Sequence, residues 1–271
     1  MSASLTGIGG RPWVDLEPLL DTSVFAELHE EICLGYAQVP VDYTGGSHRS
    51  MGIMPGLREE EALVDYGEVI RGLSEEAFET FRLLSDAPAA FSWSSREATT
   101  FGEERAVPLS RRQMIWLKVR HGVYFPWKGY VELMPNRRWE DKAEPDGKRF
   151  SRIATTFFPK TLAFVRNLPF DHIGRCNIMG LEAHDHGTVH RDGDPTDQAS
   201  PDEFITFCPN GDKELFLYDA DADREVPIRS RAYWFNDFDY HGVRAAPFFR
   251  YSVRVDGVFT KAFRDRLEVA I

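Results

Sequence analysis

The sequence contains no apolar run that approaches the roughly 18 residues of a membrane-spanning helix, which argues against a membrane partner. Its first residues, MSASLTGIGGRPW, lack the basic and then apolar layout of a signal peptide. No cluster of Lys and Arg is interleaved with aromatic residues, and the formal net charge is -11, so a phosphate backbone would be repelled. We therefore expect neither a membrane nor a nucleic acid as a partner.

Cysteine is scarce as well, and the pattern of the three cysteines excludes a disulfide framework. Cys33, Cys176 and Cys208 are odd in number, scattered along the chain and without a CxxC pair. This usage fits a reducing cytoplasm, with the cysteines acting as small buried hydrophobic residues. Cys176 falls in a predicted strand, which argues against a role as nucleophile. The predicted localisation is cytoplasmic.

Length and composition allow one elaborated domain or two small ones, and the pattern along the chain favours a single domain (1–271) with a substantial core. The 271 residues include 42% hydrophobic and 28% charged side chains, as in an ordinary globular protein. All-β barrels can reach about 200–250 residues as one unit. We divide the chain into an N-terminal helical and mixed support region (1–167), a β core (168–259) and a C-terminal helix (260–271).

The N-terminal region is predicted to combine helices, strands and loops. Apolar residues at helical spacing predict helices in PWVDLEPLLDTSVFAELHEEICLGY and in LSEEAFETFRLLSDA, the second capped by Ser74. The glycine-rich VDYTGGSHRSMGIMPG between them predicts a loop. β-Branched and aromatic residues predict strands in RRQMIWLKVRHG and KGYVELM. The polar stretch 135–151 is predicted to be a long loop that, with the N-terminal region, holds specificity determinants.

Eight short strand-like runs follow Gly174, separated by turn clusters such as HDHG, PNGD and DADAD. They are RCNIMGLEA, GTVHRD, EFITFCP, KELFLYDAD, EVPIRS, AYWFND, GVRAAP and RYSVRVDGVF. Eight such runs predict a mainly β fold with helical support, a double-stranded β-helix (jelly-roll, cupin-like) core with N-terminal helices packed on it. TKAFRDRLEVAI is predicted to close the chain as a helix.

The stretch TVHRDGD supplies the first two residues of a candidate metal site. In a strand, residues i and i+2 lie on the same face and are about 6.5–7 Å apart, so His190 and Asp192 could bind one ion together. His241, in DYHGV at the start of the seventh run, could reach the same ion from a neighbouring strand. Two imidazoles and a carboxylate leave three positions open on an octahedral ion, the arrangement suited to non-haem Fe(II) oxygenases. The simpler alternative is that HRDGD forms a solvated turn.

A competing metal site is offered by His184 and His186, which with His190 would make an all-histidine set like that of other cupin-type barrels. If one strand held them, His186 and His190 would lie about 13 Å apart, too far to bind one ion together. HDHG is also typical of a turn between two strands, where solvated histidines are common.

Two arginines of the last run, FFRYSVRVDG, are candidates for binding a carboxylate. Arg250 follows His241 by nine residues, and Arg254 lies four residues further on, on the same face of a regular strand. A guanidinium presents a bidentate fork that matches a carboxylate. Arg250 is the expected anchor of a dicarboxylate, and Arg254 the alternate anchor or a substrate contact. Either arginine could instead be a surface charge.

Together, these motifs resemble those of the Fe(II)/2-oxoglutarate-dependent dioxygenases, whose signature is HxD, a distal His and an Arg about ten residues later. The nearest likeness is to the aspartyl/asparaginyl β-hydroxylase and proline cis-hydroxylase branch. The segments that carry it are LPFDHIGRCNIMGLEAHDHGTVHRDGD and YWFNDFDYHGVRAAPFFRYSVRVDG, within residues 168–258. Related halogenases replace the carboxylate ligand, so the presence of Asp192 favours hydroxylation.

The resemblance implies roles for particular residues. His190, Asp192 and His241 would hold Fe(II), and Arg250 would pair with the distal carboxylate of 2-oxoglutarate, the co-substrate consumed with O2. Arg175, which opens the first run, would bind a carboxylate of the substrate or co-substrate, or else form a salt bridge with a nearby acid. Trp234 and Asn177 are expected to contact the substrate, although core packing is an alternative for both.

The predicted function is hydroxylation of an unactivated C–H bond in an amino acid, or in an amino-acid-derived or peptidyl small molecule, with conversion of 2-oxoglutarate to succinate and CO2. The expected setting is natural-product biosynthesis. Two alternatives remain open. One is a cupin-type metalloenzyme that uses His184, His186 and His190 without 2-oxoglutarate, and the other is a non-catalytic β-roll that binds a ligand. The sequence does not determine the oligomeric state.

Overall fold

A computed structural model describes residues 5–39, 66–98, 109–123, 128–135, 141–193, 195–196 and 198–270. The strands are β1 (Trp13–Asp15), β2 (Lys128–Met134), β3 (Phe170–Leu181), β4 (Gly187–His190), β5 (Phe204–Phe207), β6 (Leu215–Asp219), β7 (Arg224–Pro227), β8 (Ala232–Phe235), β9 (His241–Val243) and β10 (Arg250–Phe259). The helices are α1 (Phe25–Gln38), α2 (Tyr66–Arg71), α3 (Glu75–Leu83), α4 (Arg111–His121), α5 (Arg152–Phe157), α6 (Pro159–Arg166) and α7 (Lys261–Ala270).

The strands form two antiparallel sheets. The large sheet has the order β1-β8-β5-β10-β3-β2, and the small sheet has the order β4-β9-β6-β7. Each of the eight runs predicted after Gly174 is a strand, β3 to β10 in chain order. The chain crosses from sheet to sheet between most of these strands, and only β6 and β7 follow one another within the same sheet. Segments distant in sequence are therefore neighbours in each sheet.

The two faces of strand β10 have different chemistry because its side chains alternate. Tyr251, Val253 and Val255 belong to the main hydrophobic cluster, together with residues of α1, α6 and α7. The alternate positions, from Arg250 to Asp256, are polar, yet they are almost completely buried. The polar face of β10 is therefore directed into the interior of the protein and away from solvent.

A second hydrophobic cluster shows that the two sheets face each other. Phe204 and Phe235 of the large sheet pack with Leu215 and Leu217 of the small sheet. The Phe235 ring also meets the ring of His241 edge-on, with centroids 4.8 Å apart. The polar face of β10 therefore faces the small sheet across this interior.

The helices pack in two groups. Helices α1, α6 and α7 cover the outer face of the large sheet, as expected for support helices. Helices α2, α3 and α4 pack chiefly on one another around a separate cluster that includes Phe78, Phe81 and Leu117. None of the helices in the described part of the chain has the length and apolarity needed to cross a membrane.

The prediction of a strand in RRQMIWLKVRHG is wrong, because this segment is helix α4. The Ser110 hydroxyl accepts a hydrogen bond from the Gln113 amide, and the Gln113 side chain accepts one from the Ser110 amide, which completes a capping box. Gly122 ends the helix at a φ of 68°. The β-branched residues Ile115 and Val119 suggested a strand, but both are exposed on the helix surface.

Among the other sequence predictions, the structure corrects one and confirms several. The first predicted helix begins too early, because Trp13–Asp15 forms strand β1, paired with β8. Ser74 caps α3 as expected, and KGYVELM is strand β2.

Cys176 and Cys208 are buried, whereas Cys33 is exposed. Burial raises the pKa of the Cys176 thiol, which argues further against a nucleophile there. The loop predicted at VDYTGGSHRSMGIMPG and part of the loop 135–151 lie outside the described residues.

Replacing Ser110 with alanine is expected to lower the free energy of unfolding by about 1–2 kcal/mol. The substitution removes the helix cap and also the hydrogen bond that the hydroxyl donates to the Leu84 carbonyl at 2.6 Å. Urea denaturation measures the change, with Ser94→Ala at an exposed position as the matched control. An equal, small effect of both substitutions would contradict the capping role.

Candidate metal centre

Three ligand-type side chains converge where strands β4 and β9 lie side by side. His190 is the last residue of β4 and His241 the first residue of β9, and the two are register partners. Their ring centroids are 4.5 Å apart. Oδ1 of Asp192 lies 3.4 Å from Nε2 of His190 and 3.8 Å from Nε2 of His241. One ligand atom from each residue falls within 4.8 Å of the others.

The loop after β4, rather than strand alternation, brings Asp192 to the histidines. Strand β4 ends at His190, so Asp192 is not an i+2 neighbour within a regular strand. The amides of Asp192 and Gly193 both donate to the carbonyl of Asp237, at 3.0 and 3.1 Å, and this fixes the loop. The predicted proximity of His190 and Asp192 is confirmed, but its geometrical reason is different.

Both histidines are oriented by the backbone so that Nε2 faces the centre. Nδ1 of His190 lies 2.7 Å from the Thr188 carbonyl, and Nδ1 of His241 lies 3.0 Å from the Asp239 carbonyl. Because a carbonyl oxygen only accepts, each Nδ1 carries the hydrogen of its contact, which leaves Nε2 as the ring nitrogen that faces the centre. Burial and the neighbouring His190 lower the pKa of His241 to about 3, so this ring is neutral at ordinary pH. The donor set therefore fits a divalent metal ion.

The carboxyl group of Asp192 is held in its charged form. Burial alone would raise its pKa, but the Arg254 guanidinium and the two histidines hold that pKa well below its usual range. Nη1 of Arg254 donates to Oδ2 of Asp192 at 2.5 Å. Oδ1, the oxygen near both imidazoles, is therefore an anionic donor.

Two of the three proposed carboxylate-binding arginines form buried pairs with aspartates of the protein itself. Nε of Arg254 donates to Oδ1 of Asp256 at 2.9 Å, and Nε of Arg175 donates to Oδ2 of the same carboxylate at 2.8 Å. For Arg175, the structure therefore contains the salt bridge that was the alternative to ligand binding. Asp256 bridges the two arginines, although the sequence motif did not single it out.

Arg250 is completely buried, and its guanidinium is directed toward main-chain carbonyls. Nη2 donates to the carbonyls of Asp185 and Arg244, at 2.6 and 2.5 Å. These bonds connect the start of β10 to the turn between β3 and β4 and to the segment after β9. That Arg250 binds a co-substrate carboxylate stays a prediction.

The proposed substrate residues lie on different faces of the large sheet. Asn177 is the register partner of Arg254, so its side chain lies on the polar face beside the metal centre. Trp234 lies on the opposite face of β8 from Tyr233, with Nε1 donating to the Asp202 carbonyl and the ring edge-on to Phe259. Its position therefore favours the packing role, and Tyr233 takes the place nearer the metal centre.

The all-histidine alternative receives no geometrical support. Among the residues that the structure describes, His190, Asp192 and His241 form the one close group of three or more metal-ligand side chains, and neither His184 nor His186 is part of it. His184 lies in the turn after β3 with a φ of 67°. The turn interpretation of HDHG therefore describes these two histidines better than the ligand interpretation.

Asp237, whose main-chain carbonyl binds the loop that carries Asp192, also has a buried carboxyl group. Its Oδ1 accepts from the amide of Asp202 at 3.0 Å, and Lys142 forms ion pairs with both Asp202 and Asp237. Burial raises the pKa of Asp237 to about 7, against the opposing charges of Arg254 and Lys142. Asp237 and Lys142 carry no recognisable spacing in the sequence, since their contacts are between distant segments.

The metal-free protein is expected to lose stability as pH rises from about 4 toward about 7, and Asp237→Asn is expected to reduce this loss. Because the folded-state pKa of Asp237 exceeds its ordinary value of 3.8, the bound proton stabilises the folded state. That contribution is fully present below the ordinary pKa and is lost as the pH rises through the folded-state pKa of about 7. Melting temperatures in chelator between pH 5 and 8 measure it. Parallel curves for variant and wild type would contradict the expectation.

Comparison with known proteins adds only distant similarities. No protein-family model and no curated protein matches the sequence. A 2OG-Fe(II) oxygenase family oxidoreductase from Burkholderia pseudomallei is 11% identical, over 48% of this chain and 67% of that one, with a TM-score of 0.32. A prolyl-4-hydroxylase from Pseudomonas putida is 12% identical over 52% and 75%, with a TM-score of 0.28.

A third solved structure is a Trichoplax adhaerens prolyl hydroxylase in complex with a hypoxia inducible factor peptide fragment. It is 10% identical, over 55% of this chain and 70% of that one, with a TM-score of 0.31. The three structures are only distantly similar to this chain. At TM-scores of 0.28–0.32 they carry no argument about reaction or substrate, which have to be inferred from the residues of the site.

Proposed function

We propose that this protein is an Fe(II)/2-oxoglutarate-dependent oxygenase that hydroxylates an unactivated C–H bond of an amino acid, or of an amino-acid-derived or peptidyl small molecule. The observation that carries the proposal is the convergence of two imidazole Nε2 atoms and one carboxylate oxygen within 4.8 Å. This ligand set leaves open positions on a six-coordinate ion, which Fe(II) oxygenases need for a co-substrate and O2. When bound, Fe(II) would supply oxygen activation coupled to decarboxylation of 2-oxoglutarate.

The fold supports the same proposal. We infer that the facing sheets form a double-stranded β-helix, because β3 to β10 enter the two sheets in the order of a jelly roll, with β3-β10-β5-β8 in one sheet and β4-β9-β6-β7 in the other. In this arrangement, the metal ligands lie at the end of β4 and the start of β9, at one end of the small sheet. The polar face of β10 lies opposite them.

The residues opposite the metal centre favour a polar small molecule as ligand. Arg254 is flanked in register by Asn177 on β3 and by Thr206 on β5, and Thr206 is followed by Tyr233 on β8. Three polar atoms of this row are buried without a hydrogen-bond partner: Oδ1 of Asn177, Nη2 of Arg254 and the hydroxyl of Tyr233. A buried polar group without a partner costs about 1–3 kcal/mol, which a ligand carrying oxygen and nitrogen atoms would relieve.

The hydrophobic neighbours of the site limit access of water. Phe235 packs edge-on against His241, and the guanidinium of Arg254 lies 3.8 Å from the centre of the Phe204 ring. Charged groups interact more strongly in such surroundings than in water. Arg250 is the proposed anchor of the distal carboxylate of 2-oxoglutarate, since it lies on the same face of β10 as Arg254, four residues away.

Anaerobic addition of Fe(II) and 2-oxoglutarate tests the proposal. We expect a visible metal-to-ligand charge-transfer absorption and, after oxygen is admitted, succinate formation that a suitable amino-acid or peptide substrate accelerates. Absence of both signals in folded protein would contradict the proposal. Iron binding that persists in Asp192→Ala but is lost in His184→Ala would favour the cupin-type alternative. Cytoplasmic localisation and a natural-product pathway remain predictions.

A further inference from the structure

We propose that Arg254 is a positioning residue for the metal-binding carboxylate of Asp192 and not a binding residue for the co-substrate, and that Asp256 and Arg175 hold Arg254 in place. The inference rests on the metal site of the proposed function. It reassigns Arg254 and Arg175, which the sequence analysis offered as carboxylate-binding residues.

The two oxygens of Asp192 have different partners. Oδ1 lies 3.4 and 3.8 Å from the Nε2 atoms of His190 and His241, whereas Oδ2 accepts from Nη1 of Arg254 at 2.5 Å. A charge-assisted hydrogen bond of this kind fixes one oxygen and also the plane of the carboxylate. The metal would then receive Oδ1 alone, as a monodentate ligand in a preset orientation.

The guanidinium of Arg254 is itself held on three sides. Its Nη1 binds Asp192, its Nε donates to Oδ1 of Asp256 at 2.9 Å, and its central carbon lies 3.8 Å from the centre of the Phe204 ring. The other oxygen of Asp256 accepts from Nε of Arg175 at 2.8 Å. All four charged side chains of this series, from Arg175 to Asp192, are 10% exposed or less. The contacts therefore form one continuous buried connection from β3 through β10 to the metal centre.

Charge balance argues against Arg254 or Arg175 as the anchor of a dianion such as 2-oxoglutarate. The two guanidinium groups and the two carboxylates of the series carry charges of opposite sign in equal number. The charge of each arginine is thus already compensated inside the protein. Lysine would not reproduce the arrangement at position 254, because a single ammonium lacks the planar fork that contacts two carboxylates at once.

Titration with Co(II) in the absence of 2-oxoglutarate tests the proposal, since the cobalt spectrum reports binding without any turnover. We expect Arg254→Met to weaken Co(II) binding by roughly 10–100-fold, the range for loss of a group that orients a metal ligand. In the Asp192→Ala background, the same substitution should change Co(II) affinity by less than about twofold, because the carboxylate that Arg254 positions is gone.

Arg231→Met is the matched control, because Arg231 also forms a two-pronged bond with a carboxylate, that of Glu17, and is not part of the series. It should leave Co(II) affinity unchanged. If Arg254→Met fails to fold, Arg254→Lys replaces it, with weakened Co(II) binding as the expected result. Unchanged Co(II) affinity together with weaker 2-oxoglutarate binding would overturn the proposal, as would equal losses with and without Asp192.

Failure of the proposed function is separable from failure of this inference. Wild-type protein that binds Co(II) but shows no interaction with 2-oxoglutarate would contradict the oxygenase proposal. The comparison of Arg254→Met in the two backgrounds would still decide the role of Arg254, since its readout requires the metal alone.

Discussion

Replacing His241 with alanine is expected to abolish iron-dependent consumption of 2-oxoglutarate in the protein. The substitution removes one of the three ligand atoms. It also removes the whole contribution of strand β9, because His190 and Asp192 both come from the end of β4 and the loop after it. Loss of a residue that hydrogen-bonds to a metal ligand lowers metal affinity by roughly 10–100-fold, and loss of the ligand itself should lower it further. Fe(II) or Co(II) titration and succinate release measure the two effects.

The matched controls for this prediction are His184→Ala and His186→Ala, which remove an imidazole from the same region but outside the close group of ligands. Both variants should bind metal as the wild type does. Because His241 is buried, its truncation to alanine would leave a cavity. Folding of His241→Ala must therefore be verified by circular dichroism and thermal denaturation. Metal binding by a folded His241→Ala protein at wild-type affinity would contradict the assignment of this residue as a ligand.

The β core could be predicted from sequence because its signals are local. The runs from RCNIMGLEA to RYSVRVDGVF are short and bounded by turn residues, most are rich in β-branched or aromatic residues, and each forms a strand. Helix α4 could not be recognised in this way. Ile115, Trp116 and Val119 suggested a strand, whereas the features that make it a helix are a capping box at Ser110 and packing within the α2–α4 cluster.

The candidate metal ligands were also predictable, whereas their supporting residues were not. HxD and a later histidine are visible as a spacing, and the structure brings His190, Asp192 and His241 together. The contact of Arg254 with Asp192 joins residues 62 positions apart, and that of Arg175 with Asp256 joins residues 81 apart. The register of β10 against β3 creates the second contact. The first forms because the small sheet, which carries Asp192 on the loop after β4, packs against the large sheet. The alternation of RYSVRVD could have indicated that Asp256 shares a face with Arg254.

The buried charges beside the metal centre have an energetic consequence that can be tested separately from metal binding. Asp256 is 1% exposed and lies between two guanidinium groups. Burial would raise its pKa, but Arg175 and Arg254 outweigh that effect and lower it, so the group is charged at neutral pH. A buried ion pair adds little compared with apolar packing, but removal of one partner leaves an uncompensated buried charge, which is costly.

Asp256→Ala is therefore expected to reduce the free energy of unfolding by about 3–5 kcal/mol. Urea denaturation in chelator measures the change and keeps metal linkage out of the result. The control is Asp265→Ala, which removes the acid of an exposed pair with Lys261 and should cost no more than about 0.5 kcal/mol. Similar losses in the two variants would show that Asp256 is not needed to balance charge.

The double variant Arg175→Met with Asp256→Ala distinguishes lost charge balance from lost packing. The single variant Asp256→Ala leaves two buried guanidinium groups with one carboxylate, whereas the double variant leaves Arg254 with Asp192, one charge of each sign. If uncompensated charge is the main cost, the double variant should be more stable than Asp256→Ala alone, despite its additional substitution. If packing is the main cost, the two losses should add, because each substitution removes its own contacts.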